Sequence, residues 1–68
     1  MVNSQPKSLY KHTPVGLFTC TFTPISETEL LYSGYANGSK VVPDMRLSEN
    51  DFVQLWNDLL NKGYRKGA

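Results

Sequence analysis

The stretch that decides the fold is GLFTCTFTPISETELLYSGYANGSKVVP, residues 16–43. Its first part, GLFTCTFTP, places Phe18, Cys20 and Phe22 on one side of the chain and three threonines on the other. This period of two, built from aromatic and β-branched residues, predicts a half-buried β-strand with one threonine-lined face. Pro24 should end that strand, because proline cannot donate a hydrogen bond to the ladder.

The dipeptide Asn37-Gly38 predicts a hairpin between the segment ELLYSGYA and a third strand. A type I′ turn needs a positive φ at both central residues, and an Asn-Gly pair adopts it readily. A two-residue loop then pairs Tyr35 with Lys40, on the face opposite to the one that carries Tyr32. Pro43 should end the third strand, which we expect to be short and to lie at an edge of the sheet.

The same register makes a prediction about the space beside Gly34. It pairs Gly34 with Val41, and Ser33 with Val42, so that Val41 should share the face of Tyr32. Because Gly34 has no side chain, we expect a bulky group, either a core aromatic or the helix, to approach there.

The segment SENDFVQLWNDLLNKG, residues 48–63, predicts an α-helix. Ser48 is a suitable N-cap, and Asp51 three residues later completes a capping box with Asp in place of the usual Glu or Gln. Gly63 suits the left-handed position after the last turn. One apolar stripe at helical spacing should face the sheet: Phe52, Leu55, Trp56, Leu59 and Leu60.

The order β-β-β-α predicts an α+β protein, with a three-stranded antiparallel β-meander packed on one C-terminal α-helix. Residues 15–64 should form this single domain. Residues 1–14, which contain Pro6 and Pro14, should form an irregular N-terminal arm, and residues 65–68 a frayed tail. The first and third strands would then both be exposed edges.

Length and composition limit the classes of function. The chain has 68 residues and a net charge of +1, and a domain of this size has a thin core, so a homo-oligomer or tight docking on a partner would add stability. One cysteine excludes an intrachain disulfide, and one histidine leaves no zinc-binding cluster, so we expect no metal and no cofactor. The sequence shows neither a signal peptide nor an apolar run of about 20 residues. We therefore expect no membrane contact and a cytoplasmic protein, in the host cytoplasm if a phage encodes it.

We also expect no enzymatic activity. Cys20 lies between Phe18 and Phe22 on its own face, which favours a small buried apolar residue. His12 could fold back beside Cys20, but the sequence supplies no third group to orient such a pair. The carboxylates lack the apolar surroundings that acid–base catalysis needs, and no glycine-rich phosphate loop is present.

Three functions remain open. The first is a small binding protein that docks on, and inhibits, a host macromolecule, most simply a protein, as phage or mobile-element accessory proteins of this size do. The second is a nucleic-acid-binding domain that uses the three-stranded sheet, although Lys40 is the one basic residue on the predicted strands and a basic stripe is missing. The third is an oligomer that sequesters a small molecule, such as a nucleotide, at its interface. For partner binding, the predicted contact residues lie on the open sheet face: Thr19, Thr21, Tyr35 and Lys40.

Overall fold

In the computed structural model, which describes residues 6–67, the chain forms an antiparallel sheet with one C-terminal helix. The strands follow the spatial order β4-β3-β2-β1-β5. This confirms the α+β class and the packing of a sheet on one helix, whereas the predicted number of three strands is wrong. The elements are β1 (Lys7–Thr13), β2 (Gly16–Pro24), β3 (Glu29–Ala36), β4 (Ser39–Ser48), α1 (Glu49–Asn61) and β5 (Arg65–Lys66).

Strand β1 occupies residues that the sequence assigned to an irregular arm. It pairs with β2 along its whole length, from Lys7 opposite Phe22 to Thr13 opposite Gly16. Its residue Leu9 is fully buried, so β1 contributes to the core. Pro6 and Pro14 flank the strand, where a missing N–H costs no ladder bond, and they therefore bound it instead of breaking it. The prediction of an irregular arm is wrong for residues 7–13, and its residues 1–5 lie outside the described residues.

The predicted frayed tail is also partly wrong. Arg65 pairs with Tyr10 and Lys66 with Leu9, and the N–H of Gly67 donates a 2.9 Å hydrogen bond to the carbonyl of Ser8. Residue 68 lies outside the described residues. Because β1 and β5 extend the sheet, the predicted first strand, β2, lies in its middle. Within residues 6–67 the edges of the sheet are β4 and β5.

The hairpin between β3 and β4 has the predicted turn. Asn37 and Gly38 adopt φ values of 53° and 86°, and Tyr35 lies opposite Lys40. The turn is also fixed from outside the hairpin, because Leu17 exchanges two hydrogen bonds with Asn37. The N–H of Leu17 donates to Oδ1 of Asn37 at 2.9 Å, and the N–H of Asn37 donates to the carbonyl of Leu17 at 2.8 Å.

Beyond Tyr35 the predicted register is wrong. Gly34 lies opposite Val42 instead of Val41, because a β-bulge inserts a residue into β4 at this point. Val41 is consequently 59% exposed, whereas Val42 packs over Gly34. A Cβ atom at Gly34 would lie 2.8 Å from Cγ2 of Val42, so the bulky neighbour is a valine of the adjacent strand and neither an aromatic residue nor the helix.

Pro43 does not end β4, which continues to Ser48. Proline is tolerated at the edge of a sheet, where its missing N–H removes no ladder bond. The predicted position of this strand at an edge is confirmed, whereas the predicted short length is wrong. The longer strand carries Asp44 and Arg46 onto the sheet, next to residues of β3.

Helix α1 has the predicted ends. The N–H of Asp51 donates to Oγ of Ser48 at 3.2 Å. At the other end Gly63 has a φ of 98°, and the N–H groups of Gly63 and Tyr64 donate to the carbonyls of Leu60 and Leu59 at 3.1 and 3.0 Å. These two bonds satisfy carbonyls at the end of the helix and form a Schellman motif.

The core lies between α1 and one face of the sheet. The ring of Phe22 is at its centre, with ring centroids of Tyr32 and Phe52 at 5.2 Å and of Trp56 at 5.6 Å. Such aromatic pairs stabilise beyond their buried area. The buried apolar residues are Leu9, Cys20, Phe22, Leu30 and Leu59. Within residues 6–67 the helix covers this face of the sheet alone, and we call the opposite one the open face.

Candidate binding face

One row of side chains crosses the whole open face. Tyr10 lies opposite Thr19, Thr19 opposite Tyr35, and Tyr35 opposite Lys40, while Arg65 lies opposite Tyr10. Residues in register on neighbouring strands point to the same side of a sheet, so these five side chains, one from each strand, stand next to each other. We call this set the cross-sheet row. Four spacings of about 4.8 Å make it about 19 Å long.

A second row with small hydroxyl groups lies beside the first. Ser8 is opposite Thr21, and Thr21 is opposite Ser33, so the fourth predicted contact residue stands next to the other three. The Oγ1 of Thr21 donates to the carbonyl of Ser33 at 3.5 Å, and Ser33 is buried. Both tyrosines of the cross-sheet row are half-buried, beside this row of smaller side chains.

The β4 end of the cross-sheet row is held by an ion pair. Nζ of Lys40 lies 2.8 Å from Oδ1 of Asp44 and 5.9 Å from the centroid of the Tyr35 ring. Oγ of Ser33 donates to the same Oδ1 atom at 2.6 Å. The hydrogen bond from Lys40, and after it the one from Ser33, lowers the pKa of the Asp44 carboxyl, while Asp44 raises the pKa of Lys40. Lys40 is therefore a neutralised, positioned side chain beside Tyr35, and not an isolated positive charge.

The β5 end of the row is a depression with a different chemistry. It has a volume of about 420 Å³, and its lining contains aromatic and basic side chains. The rings of Tyr10 and His12 meet edge to face, with centroids 5.8 Å apart. The residues that line it are Tyr10, Lys11, His12, Gly63 and Arg65.

Tyr10, His12 and Arg65 belong to this face, but none of them is among the contact residues that the sequence predicts. Segments β1 and β5 were both assigned to irregular structure, so none of the three had a predicted face. One signal could have found two of them: Ser8, Tyr10 and His12 alternate with Leu9 at a period of two. For β5, a strand of two residues, the sequence holds no comparable signal.

The structure separates the two residues considered as a nucleophilic pair. Cys20 lies opposite Leu9 on the helix side of the sheet, and His12 lies opposite Leu17 on the open face. Cys20 is buried, with its Sγ 3.8 Å from the hydroxyl of Tyr32. Burial raises the pKa of the Cys20 thiol, against the opposing effect of hydrogen bonds to Tyr32 and Tyr64. A buried neutral thiol is a poor nucleophile, so the Cys20–His12 pair is not formed.

Residues 6–67 contain no group of three or more His, Cys, Asp and Glu side chains arranged to hold a metal ion. In the same residues no helix has both the length and the apolar composition to cross a membrane.

Comparison of the chain with models of protein families, with curated proteins and with solved structures found no match. The geometry of the open face is therefore the ground on which a function can be proposed.

Proposed function

We propose that the protein is a non-enzymatic binding protein that docks on another protein through its open face. The observation that carries this proposal is the cross-sheet row, in which Tyr10 and Tyr35 stand on either side of Thr19. Tyrosine offers a large contact area at a low cost in side-chain entropy, and it is enriched among residues that dominate binding energy. A sheet also holds the two rings at a fixed separation of about 10 Å, two strand spacings.

The hydroxyl groups around the tyrosines fit the same function. Thr19, Thr21 and Thr23 line β2 on this face, with Ser8 and Ser33 on the neighbouring strands. Surfaces rich in Tyr and Ser bind proteins with rigid aromatic anchors and adaptable hydrogen bonds. A polar face of this kind stays hydrated when no partner is bound.

The size of the open face predicts what the contact must include. Four strand spacings by the eight residues of β3 give about 500 Å², at about 4.8 Å a spacing and 3.3 Å a residue. A stable interface of standard size buries about 800 Å² on each partner. The contact should therefore extend past the face, and the edge strand β4 adjoins it with the exposed side chain of Val41.

Strand β4 is a less suitable site for pairing with a partner strand alone. An exposed edge can be extended by another chain through main-chain hydrogen bonds. In β4, however, Pro43 lacks an N–H, and the bulge beside Gly34 interrupts the regular spacing of the ladder. Both features protect an edge against pairing, so the side chains of the open face should make the main contact.

Nucleic-acid binding is the second candidate, and the depression beside Tyr10 is the observation that favours it. Lys11, His12 and Arg65 lie there next to an aromatic ring that could stack on a base. Against it, Asp44 and Glu29 lie on the same face, and the net charge of the chain is +1. A nucleic-acid interface would lose affinity steeply as salt rises, which a protein interface of this composition would not.

Comparison of captured proteins tests the proposal. Wild-type protein, the double variant Tyr10→Ala/Tyr35→Ala and the control Val53→Ala are coupled to a resin, and the proteins retained from a lysate are identified by mass spectrometry. Val53 is an exposed apolar residue on α1, so its loss removes surface on the other side of the molecule.

A partner of the open face should be retained by wild type and by Val53→Ala but not by the tyrosine variant. Truncating an anchoring tyrosine costs about 2 kcal/mol, or about 30-fold in Kd. Equal retention by a folded tyrosine double variant would contradict the proposal. Inhibition of a host factor and a phage or mobile-element source stay predictions from chain size, and an activity assay on the captured partner tests the first. A mass above that of the monomer in light scattering would support the third function, nucleotide sequestration by an oligomer.

A further inference from the structure

We propose that the depression at the β5 end of the cross-sheet row binds an oxyanion, and that a partner protein supplies it as the carboxylate of an acidic side chain. The depression lies where β1 extends past the two residues of β5, beside the end of α1. That a partner protein supplies the anion rests on the proposed function, whereas the anion site itself rests on the geometry of residues 10–12 and 63–65.

The backbone of His12 contributes a donor to this site. The N–H of Gly67 donates to the carbonyl of Ser8, so the backbone groups of alternate residues of β1, those of Ser8, Tyr10 and His12, point toward β5. Arg65 pairs with Tyr10, and β5 begins there. Among residues 6–67, no strand therefore lies opposite His12 on this side, and its N–H and its carbonyl both face the depression.

The side chains around that N–H are basic. His12 and Arg65 lie on the open-face side of the depression, and Lys11 closes it on the helix side. Among the described residues that line it, none is acidic. A guanidinium group binds a carboxylate or phosphate through two parallel hydrogen bonds, and a backbone N–H adds a third donor.

Two of the basic groups have separable roles. Nζ of Lys11 donates to the carbonyl of Lys62 at 2.7 Å and lies 5.9 Å from the ring centroid of Tyr64. Lys11 thereby offsets the negative end of the helix dipole beside the depression. In the described part of the chain, Lys40–Asp44 is the one ion pair within 4.0 Å, so no carboxylate side chain of residues 6–67 pairs with the guanidinium of Arg65.

The distribution of charge along the row indicates the source of the anion. Its β5 end is basic, but at its β4 end Asp44 already neutralises Lys40. A phosphate backbone laid along the row would therefore meet a carboxylate after about 19 Å or less. A protein segment with one acidic residue at the Tyr10 end, and an apolar or hydrogen-bonding group over Tyr35, matches both ends.

NMR titration of the isolated protein tests the anion site. Amide and Arg Nε–H resonances are followed while sodium acetate, and in a second series inorganic phosphate, replaces sodium chloride at constant ionic strength. Saturating shifts should centre on the N–H of His12 and the Nε–H of Arg65. Arg65→Gln should abolish them, and Lys66→Gln should keep them, because Lys66 carries the same charge on the other face of the same strand.

Four outcomes would overturn the proposal. Acetate-induced shifts no larger than those in chloride would mean that these side chains are merely solvated charges at the edge of the sheet. Loss of the shifts in Lys66→Gln to the same extent as in Arg65→Gln would mean the same. Phosphate binding more than about tenfold tighter than acetate binding would mean that the ligand of this site is a phosphate group and not a carboxylate. An eight-residue oligothymidylate could instead bind and shift the resonances of residues along the row from Tyr10 to Tyr35. If acetate then showed no saturation, the partner would be a nucleic acid and not a protein.

The test also separates this inference from the proposed function. Tyr35→Ala lies outside the depression, so it should leave the acetate titration unchanged while abolishing capture of the partner. If acetate saturates the site but no captured protein depends on the open-face tyrosines, the anion site is supported and the proposed function is rejected. With a captured partner in hand, Arg65→Gln should weaken binding about tenfold or more, and Lys66→Gln less than about twofold. Equal effects of the two variants would reject the carboxylate assignment.

Discussion

Nζ of Lys40 and Oδ1 of Asp44 lie 2.8 Å apart on the same edge strand, and Oγ of Ser33 donates to that oxygen at 2.6 Å. The two residues are four apart in sequence, and the bulge in β4 lies between them, where the register shifts between the pairings with Tyr35 and Gly34. Each side chain is 45% exposed, so the pair is half solvated. It fixes the position of Lys40 beside Tyr35 and lowers the pKa of Asp44.

This ion pair predicts a small dependence of stability on acidic pH. The pKa of Asp44 in the folded protein lies below its ordinary value of 3.8, so the stabilisation is complete above that value and is lost as pH falls through the folded pKa. Asp44→Asn should reduce the fall in the free energy of unfolding between about pH 6 and about pH 3, measured by urea denaturation. Ser33→Ala, which keeps the larger effect of Lys40, should give an intermediate fall. An unchanged fall in Asp44→Asn would contradict the assignment.

The same geometry ranks the contact residues of the open face. Tyr35 presents its ring beside Thr19, whereas the charge of Lys40 is neutralised by Asp44. Tyr35→Ala should therefore weaken binding of a captured partner about 30-fold, and Lys40→Ala less than about fivefold, by calorimetry or interferometry. Tyr35→Phe is the matched control, because it removes the hydroxyl but keeps the ring. A Lys40→Ala effect as large as that of Tyr35→Ala would show that the lysine contacts the partner directly.

The parts of the fold that the sequence predicts correctly are those with local signals. Strand β2 alternates, Asn37-Gly38 demands a type I′ turn, and Ser48 and Gly63 bound the helix. In each case the decisive interactions join residues a few positions apart. Since the two-residue turn fixes the register next to it, the placement of Tyr35 beside Lys40 followed from the sequence.

The missed parts depend on pairing across the chain. Strand β1 contributes one fully buried side chain, Leu9. Strand β5 forms by pairing of residues 65–66 with the edge of β1 that β2 leaves unpaired. A strand of two residues is too short to contain a local pattern that predicts such a contact. The bulge in β4, which places Val42 over Gly34, likewise arises only where β3 and β4 pair. As a result, the place of Arg65 beside Tyr10 is visible only in the structure, whereas the alternation of Ser8, Tyr10 and His12 about Leu9 is present in the sequence.

Leu9 tests whether β1 is an integral part of the fold. Its side chain has no exposed surface, so Leu9→Ala should destabilise the protein by about 2–5 kcal/mol through lost burial and a cavity. Val15, 77% exposed in the adjoining turn, provides the control, and Val15→Ala should change the free energy of unfolding by less than about 0.5 kcal/mol. Urea denaturation measures both.

A protein of this size could lose its fold in the Leu9→Ala variant. Leu9→Met keeps the side-chain volume and should cost less than about 1.5 kcal/mol, which preserves a measurable transition. Equal stability of Leu9→Ala and Val15→Ala would mean that residues 7–13 are dispensable for the fold.

Gly34 and Val42 should be energetically coupled. A Cβ atom at position 34 would lie 2.8 Å from Cγ2 and 3.0 Å from Cβ of Val42, and a β-branched side chain has little freedom to move away. Gly34→Ala should therefore cost about 1–3 kcal/mol of stability through overpacking. Adding Val42→Ala should recover part of that cost, so that a double-mutant cycle shows a favourable coupling. Strictly additive effects of the two substitutions would contradict this packing.

Tyr32 should ionise at a pH above the ordinary range of tyrosine. Burial is the main cause that raises its pKa to about 12, followed by the charge of Cys20 and its hydrogen bond to the thiol 3.8 Å away. Because the folded pKa exceeds the ordinary value of 10.0, the stability that neutral Tyr32 contributes is complete below pH 10 and is lost as pH rises to about 12. Absorbance of tyrosinate should show a step at about pH 12 in wild type that Tyr32→Phe lacks, and Tyr32→Phe should lose less stability across this range. Cys20→Ala should keep the pKa of Tyr32 above 10, since burial dominates. A return to the ordinary value in that variant would show that the thiol, and not burial, sets the shift.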